Sequence, residues 1–394
     1  MDKFLARVYA KKVTEFDPQI VAATAEILKD AIKEGYDATL KDFAPNSPDF
    51  GMLENLQNNV YQFAAAKSYQ ELKLATELLT DESGNVKPFP QFRADAEGLF
   101  KKFNEDWLDS EYSTAISSTL NAREWASYTK TAKAMPYLRY STVGDSKVRE
   151  SHRSLDGVVK RIDDAFWDSS CPPNGFRCRC GTTQTGQGKE TTSDSITLPY
   201  VDPMFKTNLA KTGLLFPKNH PYFDGVPKQV LRKAMAYLPP ENAFTTITVN
   251  GATIEEHAML QYESPETRQK NREIAAALKI NGVAKNIKLI PAIHKNDVAA
   301  RELIYGKKYS QLHPTKCPDA IIDNSIVEFK YASERNMAKR VAEAAAKANV
   351  CVISLTFNAT DEQLERFATG QLNKIKSLEE IVFIVNGKVK RLRR

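Results

Sequence analysis

The sequence predicts an α+β multidomain protein: a mostly helical N-terminal part, a small irregular Cys-rich β region, and an α/β C-terminal domain. Three observations carry that prediction. The chain has 394 residues, more than one hydrophobic core of ordinary size serves. Apolar residues recur at helical spacing through residues 1–135, whereas from about residue 265 short apolar runs alternate with helical ones. Between these regions, three of the five cysteines fall in a stretch punctuated by Gly, Asp and Pro.

Hydrophobic residues make up 42% and charged residues 26% of the chain, a balance that excludes wholesale disorder, a collagen-like fibre or a coiled-coil rod. No apolar run reaches the ~18 residues of a membrane span, so no membrane partner is expected. Residues 1–16 are amphipathic and charged, without the apolar core of a secretion signal. Five cysteines in so long a chain make no disulfide framework, which points to synthesis in a reducing cytoplasm. Charge is uneven. Residues 261–394 hold 24 Lys and Arg against 15 Asp and Glu, a net of +9, and end on Lys388, Lys390, Arg391, Arg393 and Arg394. The excess favours a polyanionic partner for that part, or is a solvated surface with a frayed tail.

In order along the chain, Val21, Ala25, Leu28 and Ile32 mark a helix over Pro18–Tyr36. Helices follow over Asn55–Leu79, over Ala94–Phe103 after the break at Pro88 and Pro90, and over Glu111–Thr129. From Pro136 to about Thr183 short extended pieces are expected, with a polar loop opened by Gly181, Gly186 and Gly188. Pro227–Tyr237 reads as helical, and Glu241–Gln261 as a connector. Within it Thr245–Val249, Asn250-Gly251 and Ala252–Ile254 form a hairpin with a type I′ turn. The last third reads as helix Glu266–Leu278, strand Ile287–Ile293, strands Ala320–Ile322 and Ile326–Tyr331 around Asp323-Asn324-Ser325, and helix Ser333–Ala348. Strand Val350–Phe357, helix Asp361–Gly370 and strand Ile381–Val385 complete it. The domain boundaries read from this pattern are 1–135, 136–225, 226–264 and 265–394.

Two constellations carry chemistry. His152, Cys171, Cys178 and Cys180 lie within 29 residues and are ligand types that Zn²⁺ takes in tetrahedral structural sites. In Cys178-Arg179-Cys180, extended backbone puts both sulfurs on one face. The bland alternative is three reduced thiols in a small core. In the last third, Pro318-Asp319 opens a strand and Glu328-Phe329-Lys330 returns on its partner. Alternation places Glu328 and Lys330 together, and a twisted hairpin brings Asp319 to them. Two carboxylates and an ammonium suit metal-assisted phosphodiester hydrolysis, with Asp319 and Glu328 holding Mg²⁺ or Mn²⁺ and Lys330 positioning water or neutralising charge. Asn336, Lys339 and Arg340 follow on one helix and can grip phosphates. His294 and His313 read as loop residues. As ordinary surface chemistry, Glu328 and Lys330 would be a solvated pair.

The run Tyr140-Ser-Thr-Val-Gly-Asp145, Arg149, His152, Leu155-Asp156-Gly157, Asp163-Asp164-Ala-Phe-Trp167, Pro172-Pro173-Asn174-Gly175 and Cys178-Arg179-Cys180 resembles the phage Mu F-type minor head proteins. Trp107, Glu111-Tyr112-Ser-Thr-Ala115, Trp125 and Asn219-His220-Pro221-Tyr222-Phe223 extend the resemblance to roughly residues 1–225. Cys171 is not typical of that motif. The resemblance implies a low-copy virion protein at the portal or inside the head, with portal and capsid partners, needed for head morphogenesis.

The C-terminal third resembles PD-(D/E)xK nucleases and is similar to the tRNA-nuclease toxins of contact-dependent inhibition. That resemblance implies catalytic Asp319, Glu328 and Lys330, a further acid at Glu273 in the preceding helix, and substrate-binding Arg301, Asn336 and Arg340. Where that toxin family commonly has a Gln late in the following helix, this chain has Ala346-Lys347-Ala348. It further implies an effector that acts in the bacterial cytoplasm on RNA, particularly tRNA, with an immunity protein as partner. Three alternatives stand beside it: a DNA endonuclease of the same fold, a metal-independent ribonuclease of the barnase and colicin type, and a non-enzymatic head protein whose basic domain binds nucleic acid.

Overall fold

A computed structural model describes residues 1–44, 47–238 and 243–394. The chain divides into two compact units, Met1–Ala234 and Met235–Arg394.

The first unit is built on long helices. They are α1 (Asp2–Tyr9), α2 (Pro18–Tyr36), α3 (Pro48–Glu77), α4 (Phe89–Lys101) and α5 (Leu108–Thr131). Their starts are chemically marked. Asp17 accepts the Gln19 and Ile20 N–H groups and Ser47 accepts that of Phe50, each with a proline at the first helical turn, so orphan donors are capped and φ is pre-set. A π-helical turn, Lys102–Trp107, joins α4 to α5.

Helix α2 crosses α5 closely because Gly35 has no side chain. A Cβ there would lie 2.0 Å from Thr119 Oγ1 and 2.4 Å from the Ile116 carbonyl oxygen. Gly35→Ala should therefore destabilise this unit by about 1–3 kcal/mol or more, despite alanine's better helix propensity. A denaturant midpoint that rises instead would show that the crossing relaxes freely.

A three-stranded antiparallel sheet follows, order β2-β1-β3, from β1 (Tyr137–Ser141), β2 (Val159–Arg161) and β3 (Gly181–Thr185). Gly181 thus begins a strand, because its partners on β1 satisfy the backbone, and the polar loop starts only after Thr185. Short helices α6 (Glu150–Arg153), α7 (Phe166–Ser170) and α8 (Leu209–Thr212) lie between and after the strands. Helix α9 (Lys228–Ala234) closes the unit.

The second unit is one eight-stranded mixed sheet in sequential order, β4 (Phe244–Val249), β5 (Ala252–His257), β6 (Ile287–Leu289), β7 (Ala320–Ile322), β8 (Ser325–Ala332), β9 (Val350–Leu355), β10 (Glu380–Val385) and β11 (Lys388–Arg393). Strands β6, β7 and β8 are antiparallel, and β8, β9 and β10 run parallel. Helix α10 (Pro265–Ile280) covers one face, over Leu289, Val327, Phe329 and Val352. Helices α13 (Met337–Ala345) and α14 (Asp361–Lys374) cover the other, over Cys351, Ile353 and Phe383. Two short helices, α11 (Val298–Tyr305) and α12 (Lys307–Leu312), fill the approach to β7.

Two expectations change. The segment 226–264 is not a connector: its hairpin, with positive φ at Asn250 and Gly251, is the edge of the sheet, and β5 pairs parallel with β6. Buried Glu256 accepts bonds from Arg268 and from Arg272 Nη2 (2.5 Å), tying α10 to β5. A boundary at 265 would sever both. Residues 239–242 of that segment lie outside the described residues. The basic C-terminus is likewise no frayed tail but strand β11. Arg391 and Arg393 bond Glu380, Lys390 approaches Glu365 at 2.8 Å, and Arg394 donates to the Leu372, Ile375 and Lys376 carbonyls at the end of α14.

Candidate functional site

In the second unit the chemistry gathers at the β7–β8 hairpin. Its turn is the two residues Asp323-Asn324, both at positive φ (46° and 71°), the backbone of a I′ turn. Asp323 accepts the backbone N–H groups of Lys285 and Asn286, which fixes the register of Ala320 opposite Val327. That register sets Asp319 beside the returning strand. Its N–H donates to the Val327 carbonyl, and its Oδ2 accepts the Phe329 N–H at 2.9 Å. Asn271 of α10 reaches Oδ1 at 3.4 Å.

Glu328 faces α13 and is fully buried at 0% exposure. Its Oε1 accepts from Lys330 Nζ and, at 2.5 Å, from Lys347 Nζ. Its Oε2 is buried with no partner. Burial, then the charge of Asp319, pushes the Glu328 carboxyl up to about 7 against the pull of the lysines. Tyr309 holds the Lys347 backbone carbonyl at 2.7 Å, and its phenol is raised by burial and by the Glu328 charge.

The structure therefore brings together Asp319, Glu328 and Lys330, and adds Lys347, Asn271 and Tyr309. Lys347 stands in the short stretch after α13 where the resembling toxins carry a Gln. Other expected residues sit elsewhere. Glu273 is an exposed residue of α10 bonded to Gln269. Arg301 is 1% exposed. Its Nη1 and Nη2 donate to the Ile293, His313 and Lys316 carbonyls at 2.6–2.9 Å and so shape the loop before Asp319, while its buried Nε has no partner. Asn336 caps Ser333. Arg340 pairs with Glu343 at 2.8 Å, and Lys339, largely exposed, lies 3.9 Å from the same carboxylate. His294 is an exposed loop residue and His313 packs on Tyr309.

Asp319 and Glu328 are the residues here that could offer oxygen ligands to a hard divalent ion. Two adjoining carboxylates, one with an orphaned buried oxygen, match the oxygen preference of Mg²⁺ or Mn²⁺, and a cation would relieve both the repulsion and the unsatisfied atom.

In the first unit, His152 on α6 meets Cys178 and Cys180. Nδ1 lies 3.5 Å from Cys178 Sγ and 3.7 Å from Cys180 Sγ, and the three donor atoms lie within 4.8 Å of one another, all buried. Cys171 is buried in the same small core but does not join this group, and burial pushes its thiol up to about 12. All five cysteines are free. The hydrogen bond between Cys178 and Cys180 lowers the first thiol and raises the second.

The surrounding motif residues are fold-fixing. Tyr140 donates to Asn174 Oδ1 at 2.8 Å, and Asp156 accepts the Thr142 N–H at 2.7 Å. Arg179 forks onto Asp145 with both contacts at 2.8 Å, and Trp167 donates to the Arg161 carbonyl.

A protein-family model described as Phage Mu protein F like protein matches residues 98–183, a shorter span than residues 1–225. The putative capsid assembly protein F of Escherichia phage Mu is 34% identical over 93 residues, 23% of this chain and 21% of that protein. The Mu-like prophage FluMu F protein of Haemophilus influenzae is 40% identical over 60 residues, 15% of this chain and 14% of that protein. The chain thus spans about a fifth or less of the length of these curated relatives. No solved structure matches it. The similarity to Mu F-like proteins is confined to the first unit, and the candidate carboxylate–lysine site lies outside the matched residues 98–183.

Proposed function

We propose, from the Mu F-like match at residues 98–183, that this chain is a minor head protein of a Mu-like phage or prophage whose second unit is a metal-dependent nuclease effector. The head role rests on similarity to a protein named for capsid assembly. Its partners are then portal and capsid proteins, its location is the virion, and the effector works in the bacterial cytoplasm with an immunity protein as antagonist. No helix among the described residues is long and apolar enough to cross a membrane.

The nuclease reading rests on one observation: Glu328 Oε2 is buried and unpartnered beside Asp319, with Lys330 and Lys347 on its other oxygen. The order of helix α10, the β6–β7–β8 meander, helix α13 and parallel β9 supports it. Glu328 and Asp319 would hold the cation. Bound Mg²⁺ or Mn²⁺ supplies Lewis acidity toward a phosphate oxygen and lowers the pKa of a coordinated water. Lys330 and Lys347 keep Glu328 more ionised than its burial alone allows and offset negative charge gathering on the phosphate. The rival genome-binding tail has less support, because the cations of β11 are largely occupied by Glu380, Glu365 and helix carbonyls.

The test is cleavage by the full chain with Mg²⁺, offered total tRNA and plasmid DNA. RNA cleavage that stops in EDTA is the expected result. Plasmid cleavage would move the substrate to DNA, and cleavage persisting in EDTA would favour the metal-independent ribonuclease. Intact substrates in every condition would remove the nuclease and leave the head protein.

A further inference from the structure

The His152–Cys178–Cys180 cluster has a geometry that free side chains do not require. One imidazole nitrogen faces two sulfurs, at 3.5 and 3.7 Å. A neutral imidazole nitrogen carries one proton or one lone pair, so a hydrogen bond accounts for one of these contacts and leaves the other unexplained. A tetrahedral zinc ion explains both. With Zn–S about 2.3 Å and Zn–N about 2.0–2.1 Å, the S···N edge is about 3.6 Å. Cys178 and Cys180 bracket one residue just before β3, and their sulfurs lie within 4.8 Å of each other. Among the described residues no fourth His, Cys, Asp or Glu donor joins the group.

We propose that His152 Nδ1 and the sulfurs of Cys178 and Cys180 bind one zinc ion, with Cys171 outside the coordination sphere and a solvent oxygen at the fourth vertex. The ion ties α6 to the entrance of β3 and closes the loop that carries β2 and α7. These elements pack only a small core around Trp125, Leu138, Tyr140 and Trp167, the situation in which a metal contributes folding energy directly. The site is independent of the nuclease reading, which concerns the other unit.

The test uses the full chain purified without chelator. Elemental analysis should find about one zinc per chain, retained in Cys171→Ser and lost in His152→Ala and in Cys178→Ser. Because the last two can fail by unfolding, the wild-type protein is also exchanged with Co²⁺. A tetrahedral visible spectrum with sulfur-to-cobalt charge transfer is expected, and X-ray absorption should count two sulfur and two lighter neighbours. Wild-type protein that holds no zinc and gives no tetrahedral cobalt spectrum overturns the site. Loss of metal from folded Cys171→Ser, or a three-sulfur coordination shell, overturns the ligand set.

Discussion

Glu328→Gln in the full chain should lose the proposed divalent-dependent cleavage by a factor of at least about 10²–10³, which is about 3–4 kcal/mol of barrier. The change keeps the volume and one acceptor oxygen, so loss of fold is a poor explanation if the circular dichroism spectrum and the tyrosine signal hold. What disappears is the charge that draws a cation to the unpartnered Oε2 and that Lys330 and Lys347 now share. Undiminished cleavage by the variant would move the activity away from this hairpin.

The pH dependence gives a second handle on the same carboxyl. Burial and Asp319 raise its pKa to about 7, and the lysines oppose them. Below that value the group is protonated and cannot hold a cation, so cleavage should rise as pH passes upward through about 7. The metal-free fold has the opposite trend. A carboxyl raised above its unfolded value stabilises fully below about 4.5, and that contribution is lost as pH climbs through about 7. Lys347→Met removes one opposing cation, so Glu328 titrates higher still. Activity near pH 7 should fall and then recover in more alkaline buffer. A uniform loss at every pH would mean that Lys347 touches substrate instead of tuning Glu328.

Much of this architecture was legible because local chemistry announces it. Asp17-Pro18 and Ser264-Pro265 begin helices where their caps and prolines stand, and Asn250-Gly251 and Asn386-Gly387 turn where positive φ is needed. The hairpin at Asp319, Glu328 and Lys330 followed from strand alternation. What stayed hidden depends on tertiary partners. Lys347 lies in an Ala-rich stretch after its helix, and only the crossing of that stretch behind β8 sets its amine on Glu328. Arg301 has the charge of a phosphate ligand, yet its carbonyl partners come from loops 8–15 residues away. Strand β11 was masked by its own composition, since four of its six residues are cationic, and the partners of Lys390, Arg391 and Arg393 are Glu365 and Glu380. Cys171 shares a sequence cluster with Cys178 and Cys180, but the direction of its side chain is not encoded in spacing.

Lys67→Met should destabilise the first unit by about 3–5 kcal/mol. Lys67 and Glu111 form an ion pair at 2.5 Å, with side chains 1% and 3% exposed, between α3 and α5. Burial lowers the lysine and raises the carboxyl, and each is drawn back by the other. Tyr222, from the Asn-His-Pro-Tyr-Phe run, also bonds Glu111, so the pair sits where that run docks. Removing the amine strands the carboxylate in a site that cannot solvate it. The double variant Lys67→Met, Glu111→Gln should recover most of the loss, because a neutral pair no longer needs hydration. All three tryptophans, Trp107, Trp125 and Trp167, belong to this unit, so their fluorescence in urea follows its unfolding without interference from the other. The sign of the pH effect is fixed as well. The stranded Glu111 titrates above its unfolded value near 4.5, so the single variant should be closest to wild type below that pH and lose ground as pH rises. A deficit that does not change between pH 4 and 8 would mean that the lysine acts through packing of its aliphatic stem, and that the charge pair contributes little.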